Sequence, residues 1–232
     1  MHIEERIKTI LSDKDEYIFG FADLRNLLND KFKGHDFCIV IGKRLKDKIM
    51  DSIVDGPNMD YFDHYHETNR KLAEISEKIQ SELKAMNISC IPILPTLKDE
   101  ELNEHHLKTL TYDFSHKMAA TRAGLGWIGK TDLFISERFG PRLRLVSILV
   151  NHPLDCSKAP VTESRCGSCN ICVEECPASA GNGKLWNVNV KREEFFDAFA
   201  CRKKCRELSR KLLNKEITLC GICMAVCPIG KS

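Results

Sequence analysis

Arg165-Cys166-Gly167-Ser168-Cys169-Asn170-Ile171-Cys172-Val173-Glu174-Glu175-Cys176-Pro177 sets the reading of this chain, together with a shorter echo, Cys220-Gly221-Ile222-Cys223-Met224-Ala225-Val226-Cys227-Pro228. At the first spacing, one tight loop can present three thiolates to a cube of iron and sulfide. The Cys before each proline points away, towards a second cube. A zinc knuckle would use two Cys-x2-Cys pairs, and a disulfide framework would not need the repeated Cys-Pro ending. The pattern predicts a ferredoxin-like module with two [4Fe–4S] clusters, and hence a protein that moves electrons.

Exchange of the Cys-Pro ligands gives Cys166, Cys169, Cys172 and Cys227 to the first cluster. The second keeps Cys176, Cys220 and Cys223, and needs one more sulfur because the second motif has no middle cysteine. Cys201 and Cys205 are the candidates, four apart on one face of a helical spacer near residues 192–213. Cys201 is favoured, which leaves Cys205 a bystander thiol. Cys156, ten residues before the first motif, is not expected to be a ligand. Gly167 and Gly221 would let backbone amides approach the sulfurs and stabilise a reduced cluster.

Composition bounds the rest. The 232 residues, 43% of them hydrophobic, suffice for one large domain or for a core plus a small module. A net charge of only +2 gives no global field that argues for nucleic acid or membrane. Ten of the twelve cysteines lie between Cys156 and Cys227, so they form a local device. The start, Met1-His2-Ile3-Glu4-Glu5-Arg6, lacks signal-peptide features, and no run approaches about 18 apolar residues. A cytoplasmic, reducing setting without membrane contact is the expectation. Cys38 and Cys90, in apolar runs, read as packing residues.

Residues 37–42 form an apolar run closed by Gly42 and predict a buried strand. Asp60 is the expected cap of a long helix ending near Asn87, with Leu72, Ile75, Ile79, Leu83 and Met86 along one face. Residues 88–93, 133–135 and 143–150 predict further strands. Residues 137–141 have hairpin chemistry, which predicts an antiparallel pairing of the last two. Residues 115–123 are helix-like, and Gly124 is their natural stop. The expected fold is α+β: a layer of helices and strands over residues 1–153, then the cluster module over residues 154–232.

Gly124-Leu125-Gly126-Trp127-Ile128-Gly129-Lys130-Thr131 matches G-x4-G-K-[ST], and its first six residues match G-x-G-x-x-G. Both nucleotide motifs need a strand before and a helix after, so that helix-end amides face phosphate. Here a helix-like segment precedes and a strand-like one follows. Trp127 and Ile128 would also crowd a phosphate. An exposed Trp edge on a glycine-rich turn suits a flat organic cofactor better, which makes Gly124, Gly126, Trp127, Gly129 and Lys130 the candidate cofactor contacts. A packing turn is the plainer alternative.

With that loop and the cysteine module placed, residues 112–230 resemble epoxyqueuosine reductases, proteins similar to reductive dehalogenases. The resemblance implies a nitroreductase-like α/β layer and a third cofactor, cobalamin, fed with electrons by the two clusters. It implies tRNA as a substrate partner, although the helical-repeat extension of many full-length members is not expected after Cys227. The family's acid ahead of the glycine loop falls, by ungapped alignment, on Leu110. Asp113 and His116 stand nearby and are the candidate catalytic proton sources.

Residues 191–215 hold nine Lys or Arg against four Asp or Glu, a stripe that could meet tRNA phosphates or an acidic protein, with a solvated face as the plain reading. His64, His66, His105 and His106 read as surface histidines. Three function classes follow. The first is a corrinoid-dependent reductase supplied by a ferredoxin, flavodoxin or flavoprotein. The second is a non-catalytic electron carrier that reduces a partner such as a corrinoid protein. The third and weakest is a nucleotide-using protein.

Overall fold

A computed structural model describes residues 3–96 and 102–231, so the first two residues of the N-terminal stretch lie outside the description. Its elements are α1 (Ile3–Ile10), β1 (Tyr17–Asp23), β2 (Phe37–Arg44), α2 (Asp47–Asp51), α3 (Met59–Ala85), β3 (Cys90–Ile93), α4 (Glu104–Thr109) and α5 (His116–Arg122). They continue with β4 (Gly126–Ile128), β5 (Phe134–Ser136), β6 (Leu143–Val150), α6 (Ile171–Glu174), α7 (Ala198–Leu213) and α8 (Ile222–Ala225). The chain forms two compact units that interleave in sequence. The first comprises residues up to Arg44, Thr68–Leu125 and Arg144–Val161; the second comprises Leu45–Glu67, Gly126–Leu143 and the residues from Thr162 onward.

In the first unit a four-stranded sheet runs in the order β1-β2-β6-β3. β1 and β2 pair antiparallel from Tyr17↔Lys43 to Asp23↔Phe37, and β3 pairs antiparallel with β6 from Cys90↔Val150 to Ile93↔Ser147. The apolar run of β2 is buried as expected, and Cys38 with it. Burial pushes the Cys38 thiol up to about 12, so it stays an inert packing group. Leu72, Ile75, Ile79 and Leu83 of α3 pack with Ile39, Ile41, Val146 and Ile148 in one core, and Cys156 borders it. The spacing of three and four residues puts those side chains on one stripe.

The start of α3 corrects one expectation. Asn58, not Asp60, caps it, because the Asn58 Oδ1 accepts from the Tyr61 amide at 2.9 Å. Its end is fixed by Asn87, whose φ of 57° lets Ile88 N–H reach Leu83 O at 2.9 Å and Asn87 N–H reach Lys84 O at 3.0 Å.

The second unit holds a separate core of Leu45, Met50, Ile53, Tyr61, Leu213, Leu219, Met224 and Ala225. The expected β5–β6 hairpin does not form. β5 pairs with β4, from Gly126↔Ser136 to Ile128↔Phe134, while β6 joins the other sheet. Residues 137–139 form a tight turn closed by paired Ser136–Gly140 backbone bonds of 2.9 and 3.1 Å. Two histidines read as surface groups are buried: His64 Nε2 accepts from the Lys46 amide at 3.0 Å, and His106 lies against the Tyr112 ring.

His116, in the first unit, has both ring nitrogens engaged. Nε2 lies 3.0 Å from the Leu94 carbonyl and Nδ1 2.8 Å from Ser147 Oγ. Since a carbonyl only accepts, Nε2 carries the hydrogen and Nδ1 of the neutral ring accepts from the serine hydroxyl. Burial lowers the pKa from 6.5 to about 4. Below pH 6.5 the unfolded chain therefore binds the extra proton first. The stability from this group is complete above about 6.5 and is lost as pH falls towards 4. Wild-type protein should lose about 2 kcal/mol on this account between pH 7 and pH 4.5. Urea unfolding of His116→Gln at the two pH values should show a fall smaller by that amount; equal falls in both proteins would refute the assignment.

Candidate metal centre

The second unit brings the cysteines together in two groups. α6 follows Asn170, whose carbonyl receives the Val173 and Glu174 amides at 2.8 and 2.9 Å, and it carries Cys172 between Cys169 and Cys176. α8 begins at Gly221, with φ of 92°, and carries Cys223. The Cys172 thiol lies within electrostatic reach of Cys227, Cys166 and Cys169, and Cys227 within reach of Cys166 and Cys169. These are the four residues expected to serve the first cluster. Cys223 neighbours Cys220, Cys201, Cys172 and Cys176. Cys205 joins this second group, within hydrogen-bond reach of both Cys201 and Cys220, and its sulfur is 3.9 Å from that of Cys201.

All twelve cysteines are free thiols. Among the described residues, no three or more Cys, His, Asp or Glu side chains close on one point as a single ion would require. Two separate all-thiol groups, each fed from both motifs, fit two [4Fe–4S] clusters. Cys205 is the deeper of the two spacer thiols and is 8% exposed. It keeps its proton and shares it with its neighbours, which lowers the pKa of Cys201 and takes that of Cys220 down to about 7. Cys201 and Cys205 thus both border the second group.

The surroundings are built to receive negative charge. Burial raises Cys172 to about 11, opposed by the Thr131 hydroxyl, and raises Cys227, opposed by the Ile229 amide and the Arg142 guanidinium. The Ile222 amide, turned by Gly221, donates to Cys220. The Trp127 indole N–H donates to Cys166 Sγ at 3.3 Å, and the Arg165 guanidinium lies over its ring, held by Glu137. N–H donors of this kind stabilise the more negative, reduced state of a cluster. Arg142, 1% exposed, bridges Asp47 at 3.0 Å and Asp51 at 2.6 Å and donates to the Ala225 carbonyl at 2.9 Å. It thereby holds the backbone that leads into Cys227. A Cβ on Gly140 would stand 1.8 Å from the Ile229 carbonyl, so the tight 137–140 turn braces the same segment from another side.

The glycine loop has a different role from the one expected. Trp127 is buried, without the exposed edge a flat cofactor would need, and a Cβ on Gly126 would meet the Ile135 carbonyl at 2.0 Å. At Gly124 the space is taken by Ala159 and Lys158, and at Gly129 by Ile135. Lys130 is buried and donates to Asn170 Oδ1 at 2.7 Å, and a strand follows where a nucleotide motif needs a helix. Of these residues Trp127 alone meets a sulfur, the rest pack against the chain itself, and they do not fit a corrinoid or phosphate cradle. Asp113 and His116 belong to the other unit: Asp113 is exposed and paired with Lys31 at 2.8 Å.

Residues 165–230 match the 4Fe-4S double cluster binding domain. An epoxyqueuosine reductase of Lactococcus garvieae is 30% identical over 171 residues, 73% of this chain and 42% of that protein. This chain is a relative of the epoxyqueuosine reductases. It spans 37%, 42% and 43% of the length of three curated relatives, so the match reaches well under half of each. A reductive dehalogenase, whose structure suggests a mechanism for B12-dependent dehalogenation, superposes on 98% of this chain and 32% of its own, with TM-score 0.69 and 17% identity. An epoxyqueuosine reductase solved with a tRNA-Tyr epoxyqueuosine-modified stem loop superposes on 98% of this chain and 64% of its own, with TM-score 0.58 and 18% identity. At those identities the likeness is one of fold. Among the described residues, no helix is long and apolar enough to cross a membrane.

Two substitutions test the geometry. Cys201→Ser should remove about half of the iron by removing one cluster, while Cys205→Ser should keep both clusters. Iron analysis showing the reverse would exchange the two roles. Trp127→Phe removes one N–H donor to sulfur and keeps a smaller apolar ring in its place, so it should move the potential of the first cluster to more negative values with iron content unchanged. An unshifted potential in a spectroelectrochemical titration would show that the indole N–H does not act on the cluster.

Proposed function

We propose that the chain is an iron–sulfur reductase of epoxyqueuosine-reductase type, in which two [4Fe–4S] clusters feed electrons to a corrinoid. The observation that carries the electron-transfer half is the position of Cys227 among Cys166, Cys169 and Cys172. Cys176, Cys201, Cys220 and Cys223 would hold the second cluster. The corrinoid half rests on the dehalogenase likeness and the relatives, because the glycine-loop residues give it no support. When bound, a corrinoid supplies low-valent cobalt chemistry towards an electrophilic substrate. Proton delivery is assigned to Asp113 rather than His116, since both nitrogens of the histidine are committed. An epoxyqueuosine-modified tRNA stem loop is the substrate the relatives suggest.

The closed packing of the glycine loop favours a second reading, an electron carrier that reduces a separate partner. Anaerobic purification with iron and sulfide, followed by cobalamin titration, separates the two. About eight iron and eight sulfide per chain are expected, with saturable cobalamin uptake. Full clusters without uptake would favour the carrier. Stoichiometric zinc with little iron would overturn both.

A further inference from the structure

α7 has a face that the cluster reading leaves unused. Its sixteen residues hold six Lys or Arg and one acid, Glu207, and Asp197 caps its start by accepting from the Phe199 and Ala200 amides. Cys205, Ser209 and Leu213 are buried on the inner side, and Ser209 Oγ donates to the Leu219 carbonyl just ahead of Cys220. On the outer side, Phe199, Arg202, Lys203, Arg206, Glu207 and Arg210 line a shallow concavity of about 560 Å³. Arg210 is paired with Glu216, and Lys204 with Glu207. Arg202, Lys203 and Arg206 make no ion pair among the described residues. Among these cations the Phe199 side chain stands 48% exposed. A solvated helix face needs the charges but has no use for an exposed ring.

We propose that this face of α7 is the docking surface of an acidic, low-potential electron-carrier protein that reduces the second cluster. The proposal rests on the reading that Cys201 belongs to that cluster. Arg202, Lys203 and Arg206, without ion pairs among the described residues, outweigh the one acid on this face, Glu207, and that excess suits an acidic partner and steers its approach. Phe199 supplies an exposed apolar anchor at the N-terminal end of the patch. Its position decides against RNA: the cations lie on the same helix as Cys201 and Cys205, so a docked carrier sits about one helix diameter, ~10 Å, from the cluster thiols. Nucleic acid has no need of that proximity, and one aromatic is a poor stacking platform. In the step itself the carrier gives up one electron and the [4Fe–4S] core passes from the 2+ to the 1+ state; no bond changes and no proton moves.

The test uses the full chain loaded with both clusters and a reduced, acidic [2Fe–2S] ferredoxin as the probe. Iron analysis comes first, so failure of the cluster reading is seen apart from failure of docking. Binding should be saturable and weaken with salt. Arg202→Glu/Arg206→Glu should weaken it about tenfold or more and slow cluster reduction by ferredoxin to match, while reduction by dithionite stays unchanged. If the double charge reversal lowers iron content, Arg202→Gln/Arg206→Gln replaces it, with a smaller loss in the same direction. Phe199→Ala should weaken docking and leave its salt dependence intact. Equal ferredoxin affinity in parent and variants, or no saturable binding by the parent, would overturn the proposal. So would a selective loss of tRNA stem-loop binding in the charge variants, which would make this a nucleic-acid face.

Discussion

The placement of Cys227 beside the thiols of the first motif is the constraint on which the second unit depends. It closes a loop from Cys166 to Cys227 and forces the intervening chain to return to its start. Closing a loop of this length costs entropy that grows only slowly with length, so metal binding can readily offset it. Where ligands come together only in the folded chain, binding free energy is folding free energy. The core of Leu45, Met50, Tyr61, Leu213 and Met224 shares that task by packing α8 against α2 and the end of α7. Arg142 adds direction: its ion pairs and its bond to the Ala225 carbonyl fix where the Cys227 segment runs. Removing one partner from a buried pair leaves an unpaired charge and costs several kcal/mol, so this arginine is a structural commitment.

Much of the site was legible in the sequence because cysteine spacing reports loop geometry directly. The double-cluster character followed from the cysteine spacing alone, and the match over residues 165–230 agrees with it. The long helix was legible for a similar reason, since Leu72, Ile75, Ile79 and Leu83 record the helical period. What failed was everything set by pairing at a distance. β5 takes β4 as its partner instead of β6, and a turn with hairpin chemistry closes on itself because it must pass the Ile229 carbonyl. The sequence carries no mark of that neighbour beyond the glycine at 140. Asn58 replaced Asp60 as a cap by a shift of two residues, the ordinary scale of uncertainty for helix ends.

The glycine loop shows how one set of residues can satisfy two patterns. Gly126 has no room for a side chain and Gly129 little, which is the property a phosphate cradle also requires. The difference lies in what fills the space. Here it is the chain itself, with the Ile135 carbonyl against Gly126 and the Ile135 side chain against Gly129. Lys130, the residue that would carry charge to phosphate, is turned to Asn170 at the head of α6 instead. The loop therefore orders the first cysteine motif from outside, and Trp127 gives it a direct contact with a ligand sulfur.

The same economy explains how the module tolerates so many thiolates in buried positions. Burial works against the charge of Cys172, Cys223 and Cys227 alike. The Arg142 guanidinium lies beside Cys227. The compensation comes mainly from single hydrogen-bond donors: the Trp127 indole, the Thr131 hydroxyl, and the Ile222 and Ile229 amides. Donors of this type stabilise negative sulfur without bringing a full positive charge, so they ease reduction less than a buried lysine or arginine would. The basic residues of α7 are spent elsewhere, on the outer face, where their charge acts on what approaches rather than on the sulfurs within.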